Sequence, residues 1–240
     1  MSISAANSII KLSDRLTAIA QMVRDNSRVA DVGCDHGKLS AWLILSGKCT
    51  YIYAIDNSKP SLQKATDLFA RHNITSMTKP IYANGLSAIL PASVDDIVIA
   101  GLGSDTTKEI ISEAVWLKDP QKHLILDVHS HHDRMRRYIY SEGYEILQEK
   151  PIYEKGHCYS IMSLSYCDKQ EDIPYIFSEL GKIELKDIDS KRYIQQVYMR
   201  AKKVPSKMIK AKVYDEKKLQ EIVELREYIK TEYMEVVEGW

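Results

Sequence analysis

The chain has only four cysteines in 240 residues, Cys34, Cys49, Cys158 and Cys167, and no two of them stand in C-x-x-C spacing. That scarcity predicts reduced thiols in a cytoplasmic protein rather than a disulfide framework. No apolar run approaches the roughly 20 residues that span a bilayer, so no membrane partner is expected. The N-terminus lacks a basic segment followed by an apolar core and a cleavage site, and secretion is not expected. Net charge is missing too, because 33 Lys and Arg balance 33 Asp and Glu. A nucleic-acid partner would have to be held by a local basic patch, since the bulk field attracts nothing. The length leaves room for one full domain with a sizeable core and a smaller appendage.

Within the run Arg28-Val-Ala-Asp-Val-Gly-Cys-Asp-His-Gly37 another absence is informative. Val29, Ala30 and Val32 make a short apolar strand that breaks at Gly33 and Gly37 into a helical pattern. A second strand, Tyr51-Ile-Tyr-Ala-Ile-Asp56, ends in an acid. Strand, glycine loop, helix, strand and acid make up a nucleotide half-fold, with Asp56 placed to accept hydrogen bonds from ribose hydroxyls. The middle glycine of the dinucleotide fingerprint is replaced by Asp35. A carboxylate repels a pyrophosphate at contact but suits a cationic amine. The loop therefore fits S-adenosylmethionine, which carries ribose, adenine, ammonium and sulfonium and no phosphate, better than it fits NAD.

Periodicity extends the pattern. Leu12, Leu16, Ile19, Ala20 and Val23 have helical spacing with Ser13 as N-cap, and Arg15 edges the ligand cleft as a substrate contact. Lys59–His72 predict a helix, and Ile81-Tyr-Ala a strand ending in Asn84-Gly85. Asn84 either bonds the donor's adenine or is a bare turn residue. A fourth strand breaks at Ala100-Gly-Leu-Gly103, with Ser104 as cap of the next helix; a fifth runs through His123–His129, with Ser130 and Asp133 in capping-box spacing. Tyr144–Lys150 and Cys158–Tyr166 predict a closing strand pair. The whole predicts an α/β, doubly wound sheet over residues 1–168.

Residues 169–240 differ in texture. Ile194, Val197, Ala201 and Val204 form one apolar stripe, Leu219, Ile222, Ile229 and Tyr233 another, with Pro205 marking a break. Two antiparallel helices in a coiled-coil hairpin are expected. Arg200, Lys202, Lys203, Lys207, Lys210, Lys212, Lys217 and Lys218 crowd its tip against Asp215 and Glu216. Such a tip either grips a phosphate backbone or is a solvated charged surface.

Taken together, Leu12-Ser-Asp-Arg-Leu16, Asp31-Val-Gly-Cys-Asp-His-Gly37, Asn84-Gly-Leu86, Ile99-Ala-Gly-Leu-Gly103 and Gly156-His-Cys-Tyr159 resemble the bacterial tRNA (adenine-22, N1) methyltransferase family. The resemblance covers roughly residues 10–166, and the helical tail also looks like that family's extension. It implies a Rossmann-like class I methyltransferase fold, S-adenosylmethionine as donor and tRNA as partner; the sequence leaves the oligomeric state open, with a monomer slightly favoured. By resemblance, Asp31, Gly33, Cys34, Asp35, His36, Gly37, Asp56, Asn57, Asn84 and Gly85 line the donor site, and Ala100, Gly101, Leu102 and Gly103 face the methyl group and the target base. Two departures stand out. Asp127-Val-His129 replaces the family's Gln-Pro-Asn at the end of the fifth strand, and Ser104 follows Gly103 where a second glycine is usual. A divergent relative that binds donor or RNA without catalysis, or that methylates another substrate, is the alternative.

Methyl transfer from a sulfonium to adenine N1 needs alignment and no strong base, and it leaves a cationic ring that a carboxylate or carbonyl stabilises. Asp127 and His129 are the candidate catalytic residues. Arg134, Arg136 and Arg137 are candidate phosphate contacts or the exposed face of a helix, and Lys202, Lys203, Lys207 and Lys210 are further RNA contacts. Asp127, His129, His131, His132 and Asp133, with Cys34 and His36, are also metal-ligand types. His131 and His132 would point apart on a helix, however, and no metal is expected.

Overall fold

The computed structural model describes residues 10–210 and 215–238, without the side chains at 207, 209, 210, 237 and 238. Seven strands form one sheet: β1 (Ser27–Val32), β2 (Cys49–Asp56), β3 (Thr78–Tyr82), β4 (Asp96–Leu102), β5 (His123–Val128), β6 (Tyr144–Glu154) and β7 (His157–Tyr166). Their order is β3-β2-β1-β4-β5-β7-β6, parallel from β3 to β5, with β7 antiparallel to both neighbours. The direction of winding reverses between β1 and β4, which puts the ligand crevice of such a sheet at the carboxyl ends of those strands.

Successive residues of the central strands serve opposite faces. Val29, Val98 and Ile125 pack under helices α1 (Asp14–Met22), α2 (Lys38–Leu45) and α3 (Lys59–Arg71). Ala30, Ile97, Ile99, Leu124 and Leu126 pack under α4 (Ser104–Glu113) and α5 (His132–Ser141). Both faces are dry, which is why these strands are continuous apolar runs.

Helix starts hold two corrections. Gly103, not Ser104, is the N-cap of α4, and Ser104 is the buried first helical residue. Ser130 caps nothing, because α5 begins at His132 after His131 in the left-handed region (φ 57°). Ser13 caps α1 as its spacing predicts, accepting from Leu16 N.

The tail adds α6 (Tyr175–Leu180), α7 (Ile188–Lys210), α8 (Glu216–Glu232) and α9 (Met234–Glu238). Ile194, Val197 and Ala201 of α7 pack on Ile222, Leu225 and Ile229 of α8. Pro205 does not break the first helix, which runs through it to Lys210. The same cluster takes in Cys158 of β7 and Leu180 of α6, so the tail helices share apolar cover with the sheet's last hairpin. Among the described residues no helix is long and apolar enough to cross a membrane.

Candidate active site

A cavity of about 460 Å³ opens where the carboxyl ends of β1, β2 and β4 meet. Asp31, Gly33, Cys34, Asp35 and His36 line it from the end of β1 and its loop. Asp56, Asn57, Asn84 and Gly85 line it from β2 and the segment after β3. Ala100, Gly101 and Leu102 close the β4 side, and Arg15 and His129 line it as well. Sequence reasoning missed several apolar wall residues, among them Leu16, Ile55, Ala83 and Ile110, as well as Lys38 and Thr106. Being apolar or unremarkable in pattern, they carried no signal beyond their neighbours.

The loop geometry is set by Asp56. Its Oδ2 accepts the Asp35 N–H at 3.0 Å and its Oδ1 the Ser58 N–H at 2.7 Å, so it ties the β1 loop to the start of α3. Each oxygen keeps a lone pair for a further donor. Beneath it Asp31 is 2 % exposed and accepts from Ser40 Oγ at 2.5 Å. Burial raises the Asp31 pKa to about 6, more than the Ser40 hydrogen bond lowers it. Burial likewise pushes the Cys34 thiol up, so it is an inert wall residue and no nucleophile. Gly101 sits at a bulge in β4 opposite Asp127 and Val128, and a side chain there would meet nothing within 4 Å. Main chain is thereby open to a ligand at that point.

Gly37 and Gly103 are not on the wall. Gly37 starts α2 in the left-handed region (φ 69°), and a Cβ there would press to 2.8 Å from Ala65 Cβ and 2.9 Å from the Phe69 ring. That glycine is required by the close packing of α2 on α3, not by a ligand. Gly103 serves as the N-cap of α4.

The candidate catalytic pair is arranged differently from its expectation. The Asp127 side chain has no exposed surface and lies under Arg15, whose Nη1 donates to Asp127 Oδ2 at 2.5 Å. The same nitrogen is 2.9 Å from His129 Nε2, and the guanidinium lies 5.0 Å from the centroid of the Tyr159 ring. His129 meets that ring edge-on at 5.2 Å. Burial raises the Asp127 pKa, with Arg15 and then His129 pulling against it. Asp127 thus pairs with Arg15, which in turn reaches His129, and its carboxylate presents no exposed surface to the cavity. Tyr159 was visible only as part of a motif with no role attached.

Arg136 is corrected outright. It has no exposed surface, pairs with Glu149 and cannot reach a phosphate. Arg137 donates to Ile173 O at 3.3 Å and lies 3.7 Å from Asp172, which leaves it half-committed. Arg134 is exposed and lines a second cavity of about 480 Å³ between residues 129–134 and helices α7 and α8. Arg200 and Lys218 line it as well, and His129 belongs to the walls of both cavities. Lys202 and Lys203 are exposed on α7; the side chains of Lys207 and Lys210 lie outside the described ones, as does Lys212. Among the described residues no three His, Cys, Asp or Glu side chains converge to hold a metal ion. His132 instead spends Nε2 on Val128 O at 2.7 Å, and burial lowers its pKa to about 4.

Comparison with known proteins agrees with this architecture. The tRNA (adenine(22)-N(1))-methyltransferase of Bacillus subtilis is 26 % identical over 153 residues, 64 % of this chain and 64 % of that protein. The match thus spans just under two thirds of that relative's length. A Streptococcus agalactiae protein described as a member of the NADB-Rossmann superfamily superposes with a TM-score of 0.77 at 26 % identity, covering 90 % of this chain and 98 % of that one. A Streptococcus pneumoniae protein solved with S-adenosyl-L-methionine, and described as a putative tRNA (m1A22) methyltransferase, has a TM-score of 0.76 at 24 % identity over 90 % of this chain and 99 % of its own. Residues 12–162, the stretch from the start of α1 to the middle of β7 that builds the first cavity, match the methyltransferase-domain family, and the chain belongs to that family.

Proposed function

We propose that the protein is an S-adenosylmethionine-dependent methyltransferase that acts on tRNA, at N1 of an adenine. The observation that carries this is the composition of the first cavity: Asp31, Asp35 and Asp56 line it around a bulged glycine main chain. Three carboxylates disfavour a pyrophosphate and favour a ligand with a cationic end and free hydroxyls. Its volume is in the range of small-molecule sites. The name of the Bacillus subtilis relative supports the tRNA adenine as acceptor.

In this reading Asp56 accepts from ribose hydroxyls, Asn84 bonds the adenine, and Asp31 and Asp35 face the ammonium group. When bound, the donor supplies an electrophilic methyl group on sulfonium for in-line transfer. The chain's own part is to hold the two reactants aligned and dry, which can contribute on the order of 7–11 kcal/mol. His129 and the carbonyls of Ala100–Leu102 face the target base, and the cation that methylation creates is eased by those carbonyl dipoles. Asp127 acts through Arg15 and His129. The RNA strand lies along the second cavity, with Arg134 and Lys218 as phosphate contacts and Lys202 and Lys203 beyond them. Residues 1–168 are assigned to the donor-binding domain and 169–240 to a coiled-coil hairpin that helps hold the tRNA. Four unpaired cysteines fit a reducing cytoplasm, where we place the protein.

A second reading, a different acceptor, is favoured by Arg15 covering Asp127 where the resembled family carries Gln-Pro-Asn. Incubating tRNA with the protein and donor, followed by mass spectrometry of its nucleosides, separates the two. 1-Methyladenosine supports the first reading; binding of S-adenosylhomocysteine with no methylated nucleoside in tRNA overturns it.

A further inference from the structure

Behind the loop that carries His129 lies a buried polar node that the proposed reaction does not use. Arg136 of α5 donates to Glu149 of β6 through Nε at 3.0 Å and Nη2 at 2.6 Å. Its Nη1 donates to the carbonyls of Ser178 at 2.7 Å and Glu179 at 3.0 Å, at the end of α6. Glu149 also accepts from Ser160 Oγ at 2.5 Å and from Lys182 N at 2.8 Å. A Cβ on Gly181 would collide with Glu149 Oε2 and Arg136 Nε, so the chain can close over the pair only with glycine there. Charges this deeply buried persist because every donor of the guanidinium has an acceptor.

From this node one path leads toward the first cavity. Arg136 Nη2 donates to the Tyr193 hydroxyl of α7 at 2.7 Å, and Tyr193 is 3 % exposed. That hydroxyl lies 3.5 Å from His132 Nδ1, with the rings 5.8 Å apart, and 3.4 Å from Glu179 O. His132 Nε2 lies 2.7 Å from the carbonyl of Val128, the last residue of β5. A carbonyl can only accept, so Nε2 carries the ring hydrogen and Nδ1 of the neutral ring is an acceptor. Arg136 already donates to the Tyr193 oxygen, which frees the hydroxyl hydrogen to turn toward His132 Nδ1 or Glu179 O. Between Val128 and His132 the chain carries His129 and bends through His131 at φ 57°. A non-glycine residue in that region is held there by its surroundings.

We propose that Tyr193 and His132 are positioning residues for methyl transfer: the tail, through the Tyr193 hydroxyl, fixes His132 and the carbonyl end of β5, and so sets His129 and Arg15 against the first cavity. The proposal rests on the methyltransferase reading for its kinetic consequence, though not for the mechanical tie. It gives the tail a task inside the catalytic unit, separate from any grip on RNA.

The test uses the full-length protein. Tyr193→Phe keeps the ring and deletes only the hydroxyl. Hydrogen exchange of the amides at 128–133 should quicken severalfold, while α2 and α3 exchange as in the parent. The kcat for tRNA methylation should fall about tenfold with KM for tRNA and affinity for S-adenosylhomocysteine changed by less than about twofold, the pattern of misplacement without lost binding. His132→Gln retains a donor for the Val128 carbonyl and should keep most of kcat, whereas His132→Leu should match Tyr193→Phe. Unchanged exchange at 128–133 and unchanged kcat in Tyr193→Phe overturn the proposal, and so does a parallel loss of S-adenosylhomocysteine binding, which would mark a general loss of structure. If the parent protein neither binds S-adenosylhomocysteine nor methylates tRNA, the methyltransferase reading falls, and the exchange comparison still decides the tie.

Discussion

Arg15 and Asp127 stand 112 residues apart in the chain, yet their Nη1 and Oδ2 atoms meet at 2.5 Å at the carboxyl end of β5. Asp127 has no exposed surface, whereas Arg15 keeps about a fifth of its own. Deleting one partner of a buried pair costs about 3–5 kcal/mol. Because Arg15 is partly solvated, Arg15→Ala should lie at the lower end, about 3 kcal/mol by urea unfolding at pH 7.5. A loss below about 0.5 kcal/mol, the size of an ordinary surface change, would show that Asp127 carries no charge needing a partner.

Asp56 ties two backbone N–H groups and offers the remaining lone pairs to the cavity. Replacing it by alanine removes charge-assisted hydrogen bonds worth about 1.5–3 kcal/mol each. Affinity for S-adenosylhomocysteine in Asp56→Ala, read by calorimetry, should drop by more than about tenfold. Parental affinity would remove Asp56 from the donor site.

Two glycines should respond in opposite ways to alanine. In Gly37→Ala the new methyl group meets Ala65 and the Phe69 ring at under 3 Å, so overpacking and left-handed strain together should cost about 2–4 kcal/mol. Donor affinity of the folded fraction should hold. In Gly101→Ala the methyl group has open space but the residue sits at φ 76°, so only about 1 kcal/mol of stability should go while methyl transfer falls. Thermal melting and activity, measured on both variants, check the contrast.

Asp31 makes stability depend on pH. Its pKa is about 6 in the fold against 3.8 unfolded, so the folded protein holds the proton more tightly, and stability is lost as pH rises from about 4 to 6. Asp31→Asn should therefore gain up to about 3 kcal/mol at pH 7.5 and nothing near pH 4, with weaker donor binding as the cost. His132 acts with the other sign: its pKa of about 4 is below the ordinary 6.5, so it takes stability away as pH falls from about 6.5 to 4. Unfolding curves of Asp31→Asn against the parent at pH 4.5 and 7.5 isolate the first effect. An equal gain at both pH values would refute it.

Cutting the chain after residue 168 strips Ser178, Glu179 and Tyr193 from Arg136 and removes the segment at Gly181 that closes over its pair with Glu149. The shortened protein should melt about 10 °C lower or aggregate, because the last hairpin loses the apolar cover of the tail helices and Arg136 loses three hydrogen-bond partners worth about 1 kcal/mol each. A truncated protein with parental melting would show that the node is not needed by the sheet.

Much of the site was legible in the chain because strand tips are local features. Gly33 and Asp35 after β1, Asp56 ending β2 and Ala100–Leu102 ending β4 each follow an apolar run, and parallel strands deliver such tips to one edge. Gly37 looked like one of them but answers to Ala65 and Phe69, a contact made only when α2 and α3 pack. Arg136 read as an outward helix residue by charge, yet the face it occupies turns toward Glu149. Pro205 looked like a stop signal, and the apolar packing of α7 on α8 carries the helix past it.

By itself the sequence determined the alternation of strand and helix and the acid-and-glycine character of the strand ends, because side-chain period and turn chemistry act over a few residues. Only the tertiary structure decided that Asp127 lies under Arg15, that Arg136 is walled in by Glu149 and the tail, and that His129 belongs to two cavities at once. Those arrangements depend on strand order and on helices docking from more than a hundred residues away in one case and about forty in another, distances over which no local pattern carries information.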